Sequence, residues 1–530
     1  MPFTYKSARG MATSAKTIPV VIAGAGPAGL SLALGLARQG VRSIIFEQNA
    51  QLSPHSRAVI ILLRTLEAIQ SWNAAERFLA VGEVLHRITA YASETNDPVF
   101  SLDVSPLAAE TPNASIVVLP QDETEKLLYD AVMETGMCEL RFNQRVTAAI
   151  ENGDAVTVSV QPVSGDAYSL NAQFAVGADG AHSMVRQSIG LHLEGKTYPV
   201  HVFLADIRVN DERDTLPWPR ISMGSPQALF TIRFANGQWR IVGTLTEAEA
   251  GASIDEAFLQ PRIKTLFGGR SGQFDLIWQS IFAIHRRHAA TFRKGRVILA
   301  GDAAHINSPA GGQGMNAGIQ DAHNLAWKLA YALRGADRDV LLTSYDAERR
   351  FTIEHGVERL TDGLTRNGLT SAPKVRNALI TLMNRLAKVR PMARRMMRTM
   401  MMINTRYRRS TIIGGKSSLV GVRSPIPETL VRYAPTLVVQ RVLSEVEEAA
   451  AATQIADLTV VECPDWRPWK CSDPFAALVR PDGVVGYFER NPNAASVIGG
   501  VRTALGFVAQ DRRETAEANW QNVPNLASGV

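Results

Sequence analysis

The chain has 530 residues, of which 46% are hydrophobic and 20% are charged, a balance that excludes wholesale disorder and predicts several domains with buried cores. Its 40 glycines and 26 prolines follow no period, which excludes a collagen-like or low-complexity array. The formal net charge is +6, but Lys374–Arg409 holds eleven basic residues and no acidic one. The rest of the chain sums to −5, so we expect no nucleic-acid partner.

Cysteine is rare in this chain. Cys138, Cys463 and Cys471 are too few for a disulfide framework and favour a reducing compartment, so we expect a cytoplasmic protein without a zinc site. Residues 1–17 are basic and contain Ser and Thr. We expect a flexible leader there, with a transit peptide as the alternative.

The first predicted elements form a βαβ unit. Ile18–Ala23 has the β-branched composition of a buried strand, Ala28–Gln39 predicts a helix that Gly40 ends, and Arg42–Phe46 predicts the next strand. Residues 18–37 carry no charge, but the glycines inside this stretch indicate a core segment and not a transmembrane helix.

A glycine motif, GAGPAG, joins the first strand to the helix in the pattern G-x-G-x-x-G. The first glycine of such a motif allows a tight turn, the second lets the backbone approach a pyrophosphate, and the third lets helix and strand pack closely. An acidic residue ending the second strand is placed to bind both ribose hydroxyls and would repel a 2′-phosphate, which predicts FAD or NAD as the ligand. The residues concerned are Gly24, Gly26, Pro27, Ala28, Gly29, Glu47 and Gln48.

The middle of the chain alternates between predicted helices and strands. Glu123–Glu134 predicts a helix, whereas the alternating segments Ala155–Val160 and Phe230–Phe234 predict antiparallel strands. Val297–Ala300 predicts another short buried strand, which leads into a glycine-rich turn and a helix from about Gly314 to Leu333.

This second glycine-rich turn distinguishes the two candidate ligands. Asp302 lies at a strand end, where a carboxylate can bind a polyol hydroxyl, and Gly314 opens a helix whose N-terminus could approach the same ligand. A dehydrogenase that binds NAD has no need of a second site so far along the chain. A flavin does need one, so we favour FAD and keep an NAD dehydrogenase as the alternative.

Three ordered motifs closely resemble those of the class A flavoprotein monooxygenases, the aromatic-ring hydroxylases of the para-hydroxybenzoate hydroxylase and phenol hydroxylase type. They are GAGPAG with Glu47, GADGAHSMVR at Gly177–Arg186, and the Gly-Asp motif at Gly301. HSRAVIILLRTLEAI around Arg57, LPQDETEKLL and YDAERR are further matches.

The resemblance implies an α/β (α+β) architecture. A Rossmann-like FAD-binding module would span 18–372, with an antiparallel β-sheet substrate domain interleaved near 80–120 and 190–290. A basic helical connector at 373–411 would precede a thioredoxin-like C-terminal domain at 412–530, where we expect no redox activity because no CxxC motif is present.

The resemblance also implies a role for each matching residue. Glu47 would bind the adenosine ribose, and Asp302 the ribityl chain. Asp179 would serve the flavin pyrophosphate and the incoming nicotinamide nucleotide. The backbone near the start of the last helix would face the flavin pyrimidine edge, and a backbone carbonyl in the turn before it would lie beside the substrate. The implied flavin and substrate contacts are Glu47, Arg57, Gln121, Asp179, Gly301, Asp302, Pro309, Gly314, Met315 and Asn316.

The implied activity is a monooxygenase reaction that consumes NAD(P)H and O₂. A flavin C4a-hydroperoxide would hydroxylate a phenolic or polyketide-like aromatic small molecule. Baeyer-Villiger oxidation or epoxidation by the same flavin is the nearest alternative, and a non-catalytic flavin-binding module is the alternative from another class. A choice between NADH and NADPH does not follow from the sequence, and a homodimer is left open.

Several conspicuous residues receive a structural interpretation. We expect His305 to pack or to bond a backbone group, and His285 and His288 to lie on a solvated face without a metal. Lys374–Arg409 predicts a basic helix whose methionines fill gaps, with contact to an anionic membrane as a less favoured alternative. Five aromatic residues in the substrate-domain region are each expected in the core before the substrate wall: Phe203, Trp218, Phe230, Trp239 and Phe282.

Overall fold

A computed structural model of the chain describes residues 17–54, 58–222, 227–246, 249, 251, 253–369, 372–404, 406–407, 410–413, 417–425, 432–440, 444–463 and 474–507. Contacts divide the chain into two compact units. The first is formed by Met1–Ala326, Arg349–Thr405 and Pro425–Val431, and the second by Trp327–Glu348, Arg406–Ser424 and Arg432–Val530.

Within the described ranges, both units contain strands and helices. The strands in chain order are β1 (Ile18–Ala23), β2 (Ser43–Phe46), β3 (Ile60–Ile61), β4 (Glu83–Leu85), β5 (Arg87–Ala92), β6 (Pro98–Asp103), β7 (Ile116–Val118), β8 (Cys138–Arg141), β9 (Gln144–Asn152), β10 (Ala155–Pro162), β11 (Tyr168–Gly177), β12 (Leu193–Arg208), β13 (Arg220–Ile221), β14 (Leu229–Arg233), β15 (Gln238–Leu245), β16 (Asp275–Ala289), β17 (Arg293–Lys294), β18 (Val297–Leu299), β19 (His305–Ile306), β20 (Thr436–Val439), β21 (Thr459–Glu462), β22 (Phe475–Val479) and β23 (Val485–Arg490). The helices are α1 (Pro27–Arg38), α2 (Leu63–Ser71), α3 (Ala75–Val81), α4 (Gln121–Glu134), α5 (Met184–Ser188), α6 (Glu256–Leu266), α7 (Gln313–Leu333), α8 (Arg338–Thr352), α9 (Glu358–Leu364), α10 (Pro373–Ala387), α11 (Arg390–Met400), α12 (Ser444–Ala452) and α13 (Ala494–Ala504).

The first sheet of this unit is largely parallel. Its strand order is β17-β18-β11-β1-β2-β8; β10 pairs with β11 in antiparallel fashion, and β9 pairs with β10 in the same way. Strands β18, β11, β1, β2 and β8 run parallel to one another. The predicted βαβ unit is confirmed; α1 begins at Pro27 because proline suits the first helical turn, where its missing N–H costs no hydrogen bond.

The second sheet has the order β19-β16-β12-β15-β14-β13-β5-β6 and is antiparallel except where β13 meets β5. Its long strands come from 87–103 and 193–289. One face packs on α6, and this core contains Phe203 and Trp239, both fully buried. Phe230 packs on the opposite face, against the buried cluster around Val118 that Ile60 also contacts, because neighbouring residues of a strand point to opposite faces.

The remaining two predicted aromatic positions are partly buried. Trp218 packs against both faces of the second sheet, and Phe282 packs beside Tyr198 and Val202 on the face opposite α6. The prediction of a core position therefore holds fully for Phe203 and Trp239.

The basic segment differs from the prediction of one continuous helix over Lys374–Arg409. Helix α10 ends at Ala387 and α11 runs only from Arg390 to Met400. Pro391 explains the break, because its ring clashes with the carbonyl four residues earlier and it has no N–H to donate. Of the methionines predicted to fill gaps, Met397, Met401 and Met402 are buried.

The second unit contains a four-stranded sheet of order β21-β20-β22-β23. β20 and β21 are parallel, whereas β20 pairs with β22 and β22 with β23 in antiparallel fashion. A buried ion network lies in the same unit: the Glu348 carboxylate is 2.7 Å from Lys328 Nζ and 2.6 Å from an Arg480 guanidinium nitrogen, and Arg480 also pairs with Asp482. Among the helices described, none is long and apolar enough to cross a membrane.

Candidate functional site

The predicted site residues meet at one edge of the parallel sheet. Strands β18, β11, β1 and β2 are consecutive neighbours and run in the same direction. The glycine motif follows β1, Glu47 follows β2, Asp179 follows β11 and Asp302 follows β18. The carboxyl ends of parallel strands lie at the same edge, where ligands of open α/β sheets bind, so four separate chain segments face one crevice.

Gly24 packs the glycine turn closely against the segments that follow β2 and β11. Its φ is +98°, a conformation that favours glycine, and a Cβ added to it would lie 2.4 Å from the carbonyl oxygen of Ala178. Its N–H donates to the Phe46 carbonyl over 2.8 Å. The glycine turn is therefore held between the segments that carry Glu47 and Asp179.

Gly301 brings the Gly-Asp turn against the start of α1. Its φ is +60°, and an added Cβ would lie 2.9 Å from the Cβ of Ala28. The two glycine-bearing turns, more than 270 positions apart in sequence, thus touch directly. Asp302, the next residue, is exposed at this edge.

Glu47 is fixed by backbone and side-chain donors. The Ala25 N–H donates to its Oε2 over 2.9 Å, and Asn49 donates to its Oε1 from both the backbone (3.0 Å) and the side chain (2.7 Å). This orients the carboxylate beside the glycine turn. Gln48, also a predicted contact, is exposed.

Asp179 caps the short helix α5 with one oxygen. Its Oδ2 accepts from the Met184 N–H (2.7 Å) and the Val185 N–H (3.2 Å). Its Oδ1 is buried and has no hydrogen-bond partner within the described ranges. A buried carboxylate oxygen without a partner is costly, so this atom is suited to accept from a bound ligand.

Gln121 lies at the start of α4 and bridges two groups near the site. Its Oε1 accepts from the Ala58 N–H over 3.2 Å, and its Nε2 donates to Glu125 over 2.8 Å. Burial raises the pKa of Glu125 to about 7 despite this hydrogen bond. Arg57, predicted as a further contact, lies outside the described residues.

The start of α7 is tied to β3 by one side chain. Asn316 is fully buried; its Oδ1 accepts from the Leu62 N–H over 2.9 Å, and its Nδ2 donates to the Ile60 carbonyl over 2.9 Å. Met315 is half-buried. In the turn before the helix, the Pro309 carbonyl accepts from the Gly312 N–H over 2.9 Å.

Three comparisons place the chain among known proteins. Residues 17–359 match the family model described as FAD binding domain. Anhydrotetracycline monooxygenase from Streptomyces rimosus is 35% identical over 356 residues, covering 64% of this chain and 68% of that protein. Pentachlorophenol 4-monooxygenase from Sphingobium chlorophenolicum is 28% identical over 338 residues, covering 62% of this chain and 61% of that protein. The solved structure of OxyS anhydrotetracycline hydroxylase from Streptomyces rimosus matches with a TM-score of 0.77 and 29% identity, covering 93% of this chain and 99% of that one.

The chain belongs to the class A FAD-dependent monooxygenases. These flavoproteins use FAD, and the crevice has features that fit this cofactor. A Cβ added to Gly26 or Gly314 would meet no other described atom within 4 Å, so both backbones border open space. No side chain caps the N-terminus of α1, whose first N–H groups and positive dipole end suit a pyrophosphate. The Oδ1 of Asp179, just after β11, has no hydrogen-bond partner among the described residues.

In this monooxygenase the sequence reasoning missed a buried network beneath the Gly-Asp turn. Asp321 Oδ2 accepts from the Gly301 N–H over 3.0 Å and lies 2.7 Å from His305 Nε2, while Asp321 Oδ1 accepts from Arg349 Nε over 2.7 Å. The prediction that His305 packs is confirmed, since it is 1% exposed and its ring lies 5.7 Å from that of Phe292, but its hydrogen bond goes to a carboxylate and not to a backbone group. The sequence signal for this network was Asp321 itself, an acidic residue among the buried apolar residues of α7.

A second missed residue joins the two acidic motifs. Arg186 is 6% exposed and donates to the Ala303 carbonyl over 2.9 Å and to the Ala181 carbonyl over 2.8 Å. It therefore links the turn after β11 to the turn after β18. Its position at the end of the GADGAHSMVR motif was visible in the sequence, but its contacts were not.

The histidines of β16 lie on a half-buried surface. His285 Nδ1 is 3.0 Å from the Thr197 hydroxyl, and His288 Nδ1 is 2.7 Å from a Glu358 carboxylate oxygen. The predicted solvated face is thus partly covered by α9. In the part of the chain that the structure describes, no group of three or more His, Cys, Asp or Glu side chains could hold a metal ion.

Proposed function

We propose that this monooxygenase uses NAD(P)H and O₂ to hydroxylate an electron-rich aromatic small molecule of phenolic or polyketide-like type. The observation that carries this proposal is the contact between the two glycine-bearing turns, Gly301 against Ala28, at the edge where Glu47 and Asp179 also lie. One ligand with a pyrophosphate and a polyol chain would satisfy all these groups together. FAD has both.

Each acidic side chain would hold a different part of the cofactor. Glu47, already oriented by Ala25 and Asn49, would accept from the ribose hydroxyls of the adenosine. Asp302 would accept from the ribityl chain. The Asp179 Oδ1 is buried without a described partner and would accept a hydrogen bond from a hydroxyl group of a bound dinucleotide.

The N-terminus of α7 would face the reactive end of the cofactor. Bound FAD would supply the redox chemistry, taking hydride from NAD(P)H and passing one oxygen atom from O₂ to the substrate. The backbone of Gly314, Met315 and Asn316 would place N–H donors and the positive end of a 21-residue helix dipole at the pyrimidine edge of the ring. Removal of one such preorganised donor typically costs about 3 kcal/mol where negative charge develops.

The face of the second sheet opposite α6 is the proposed substrate wall. Phe230 and Ile60 pack there against the same buried cluster, and Ile60 is the neighbour that an added Cβ at Gly312 would meet at 3.6 Å. Phe282 lies on the same face beside Val202. Apolar side chains would exclude water from the reacting atoms, which prevents loss of the oxidant to solvent.

The second unit is proposed to be thioredoxin-like. Its elements follow the sequence β20–α12–β21–β22–β23–α13, with a parallel pair followed by an antiparallel hairpin and a helix, the order expected of that fold. Cys463 and Cys471 do not form a CxxC motif, so we propose a structural role without thiol redox chemistry.

Turnover with isotopically labelled oxygen tests the proposed activity. The purified protein should be yellow, anhydrotetracycline or a simple phenol should accelerate NAD(P)H consumption, and the product should gain one ¹⁸O atom from ¹⁸O₂ while retaining its carbon skeleton. A ring-expanded lactone or an epoxide would instead assign the Baeyer-Villiger or epoxidation alternative. Yellow protein whose NAD(P)H oxidation is unaffected by every aromatic compound tested would support a non-catalytic flavin-binding module and contradict the proposal.

A further inference from the structure

Exposed apolar side chains are concentrated on the basic helices of the first unit. Val375, Leu382 and Val389 are 51%, 52% and 51% exposed, and Met392 is 42% exposed. All four lie within α10, α11 and the junction between them. Val375 and Leu382 are seven positions apart, which places them on the same side of α10. Such a concentration marks an interaction surface more often than a scattered exposed residue does.

Five basic side chains come from the same two helices and the junction between them. They are exposed, and within the described ranges none of them forms an ion pair: Lys374, Arg385, Lys388, Arg390 and Arg395. Two other arginines of α11 behave differently, because Arg394 and Arg398 each lie 2.6 Å from a carboxylate oxygen of Glu110. Glu110 thus fastens α11 to the body of the first unit, and the five other cations remain directed to solvent. We call these five cations and the four apolar side chains the basic face.

The chemistry of the basic face fits an anionic lipid surface. Membrane-surface helices combine apolar side chains with Lys and Arg that contact phosphate headgroups. Residues 373–400 contain no Phe, Tyr or Trp, the side chains on which single-stranded nucleic acids stack. The chain outside Lys374–Arg409 carries a net charge of −5, so an anionic bilayer would repel the rest of the molecule and attract this face alone.

We propose that the basic face binds the surface of a membrane containing anionic phospholipids. The four apolar side chains enter the boundary between headgroups and acyl chains, and the five cations contact lipid phosphates. The binding is peripheral, which agrees with the lack of a spanning helix among the residues described. The proposal is independent of the proposed reaction, because it involves no residue of the FAD crevice.

Vesicle flotation of the FAD-loaded full chain tests this proposal. The protein should float with phosphatidylcholine vesicles that contain about 30% phosphatidylserine and stay behind with phosphatidylcholine alone. Raising the salt from about 0.05 M to about 0.5 M should release most of it, because the Debye length shortens. The variant Lys388→Glu/Arg390→Glu/Arg395→Glu should bind at least about 100-fold more weakly, at about fivefold per cation.

An apolar variant and two matched controls separate lipid binding from altered folding. Leu382→Asp/Val389→Asp should bind about tenfold more weakly even at low salt, because the apolar side chains no longer enter the bilayer. Arg145→Glu/Arg208→Glu/Lys264→Glu changes the net charge equally at exposed sites elsewhere, and Val163→Asp alters an exposed apolar residue at 76% exposure. Both controls should bind as the parent does.

Three results would overturn the proposal. The first is failure to float with any anionic vesicle at low salt. The second is an equal loss in the control variant, which would indicate a nonspecific charge effect. The third is a concentration-dependent dimer in ultracentrifugation that Leu382→Asp/Val389→Asp abolishes while vesicle binding is absent, because the face would then be covered by a second copy of the chain.

Discussion

Asp321 is the residue on which the Gly-Asp turn depends. It is fully buried, and burial alone would raise its pKa, but the charges of His305 and Arg349 outweigh burial and hold the pKa below its usual value. The carboxylate therefore stays ionised and accepts from the Gly301 N–H. This contact positions the residue that precedes Asp302, so Asp321 acts on the cofactor site without touching the proposed cofactor.

Replacing Asp321 by asparagine should weaken both the fold and the site. An amide presents one acceptor oxygen and one donor nitrogen to groups that all donate, so at least one of Gly301, His305 and Arg349 loses its partner. We expect a loss of about 3–5 kcal/mol in the free energy of unfolding and weaker FAD binding, measured by denaturant unfolding and flavin fluorescence. Asp154→Asn, at a fully exposed carboxylate, is the control. Unchanged FAD affinity in Asp321→Asn would show that the turn is positioned by other contacts.

Some residues of the crevice were predicted from the sequence, and others were not. Gly24, Glu47 and Asp302 stand at strand ends within short motifs from which a shared site was predicted, whereas Asp179 was added through the family resemblance of its motif. The bonds among Asp321, His305 and Arg349 join three elements separated by 16 and 28 positions. Such pairings depend on how helices and turns pack, which no local pattern encodes.

Helix α9 contacts the second sheet through ion pairs and a hydrogen bond. Lys196 Nζ lies 2.9 Å from Asp362, the Tyr198 hydroxyl donates to the same carboxylate, and His288 pairs with Glu358. The hydrogen bond that His288 donates to the Glu358 carboxylate raises the pKa of His288 above its ordinary value, against the effect of burial. The docking of this element should therefore depend on pH.

The pH dependence has a definite sign. A histidine whose folded-state pKa is raised stabilises the fold fully below its unfolded pKa of about 6.5, and this stabilisation is lost as pH rises through the higher folded value. We expect the free energy of unfolding to fall across this window in the parent and to fall less in Glu358→Gln, as measured by urea unfolding at several pH values. Asp154→Asn should retain the parent's slope. Equal slopes in the parent and in Glu358→Gln would contradict the assignment.

Element prediction succeeded where a pattern is local and failed where a single residue interrupts it. The first strand, helix and second strand were predicted within two residues of their bounds, because buried β-branched and small residues mark them. The segment Lys374–Arg409 was predicted as one helix, since its composition is uniformly helix-forming, but Pro391 divides it. The pairing of β13 with β5 and of β12 with β16 joins segments that are distant in the chain, and no local sequence pattern specifies which residues pair.

The second unit is built from three separate stretches of chain, and a buried charge network joins the first of them to the last. Burial opposes the charge on Glu348, but Arg480 and Lys328 outweigh it and hold its pKa well below the usual range. Glu348 precedes Arg480 by 132 positions, so the network ties α8 to the strand hairpin of β22 and β23. The predicted start of the C-terminal domain at residue 412 omits this contribution from Trp327–Glu348 and stays a prediction.

Replacing Arg480 by methionine should destabilise the second unit. Methionine keeps much of the volume but leaves Asp482 buried without its partner guanidinium, and removal of one member of a buried pair costs about 3–5 kcal/mol. Differential scanning calorimetry should show a transition at clearly lower temperature. Arg490→Met, at the exposed end of β23, is the control. A variant as stable as the parent would indicate that the charges are replaceable by apolar packing.

Two distant glycine-bearing turns are proposed to hold one FAD. The most direct measurement is titration of the apoprotein with FAD, followed by quenching of flavin fluorescence, in the parent and in Asp302→Ala, with Asp275→Ala as the exposed-carboxylate control. The parent and the control should bind one FAD per chain with the same affinity, and Asp302→Ala should bind at least about tenfold more weakly, a loss of about 1.4 kcal/mol. Equal affinity in all three proteins would contradict the claim, because the turn after β18 would then contribute nothing to the cofactor site.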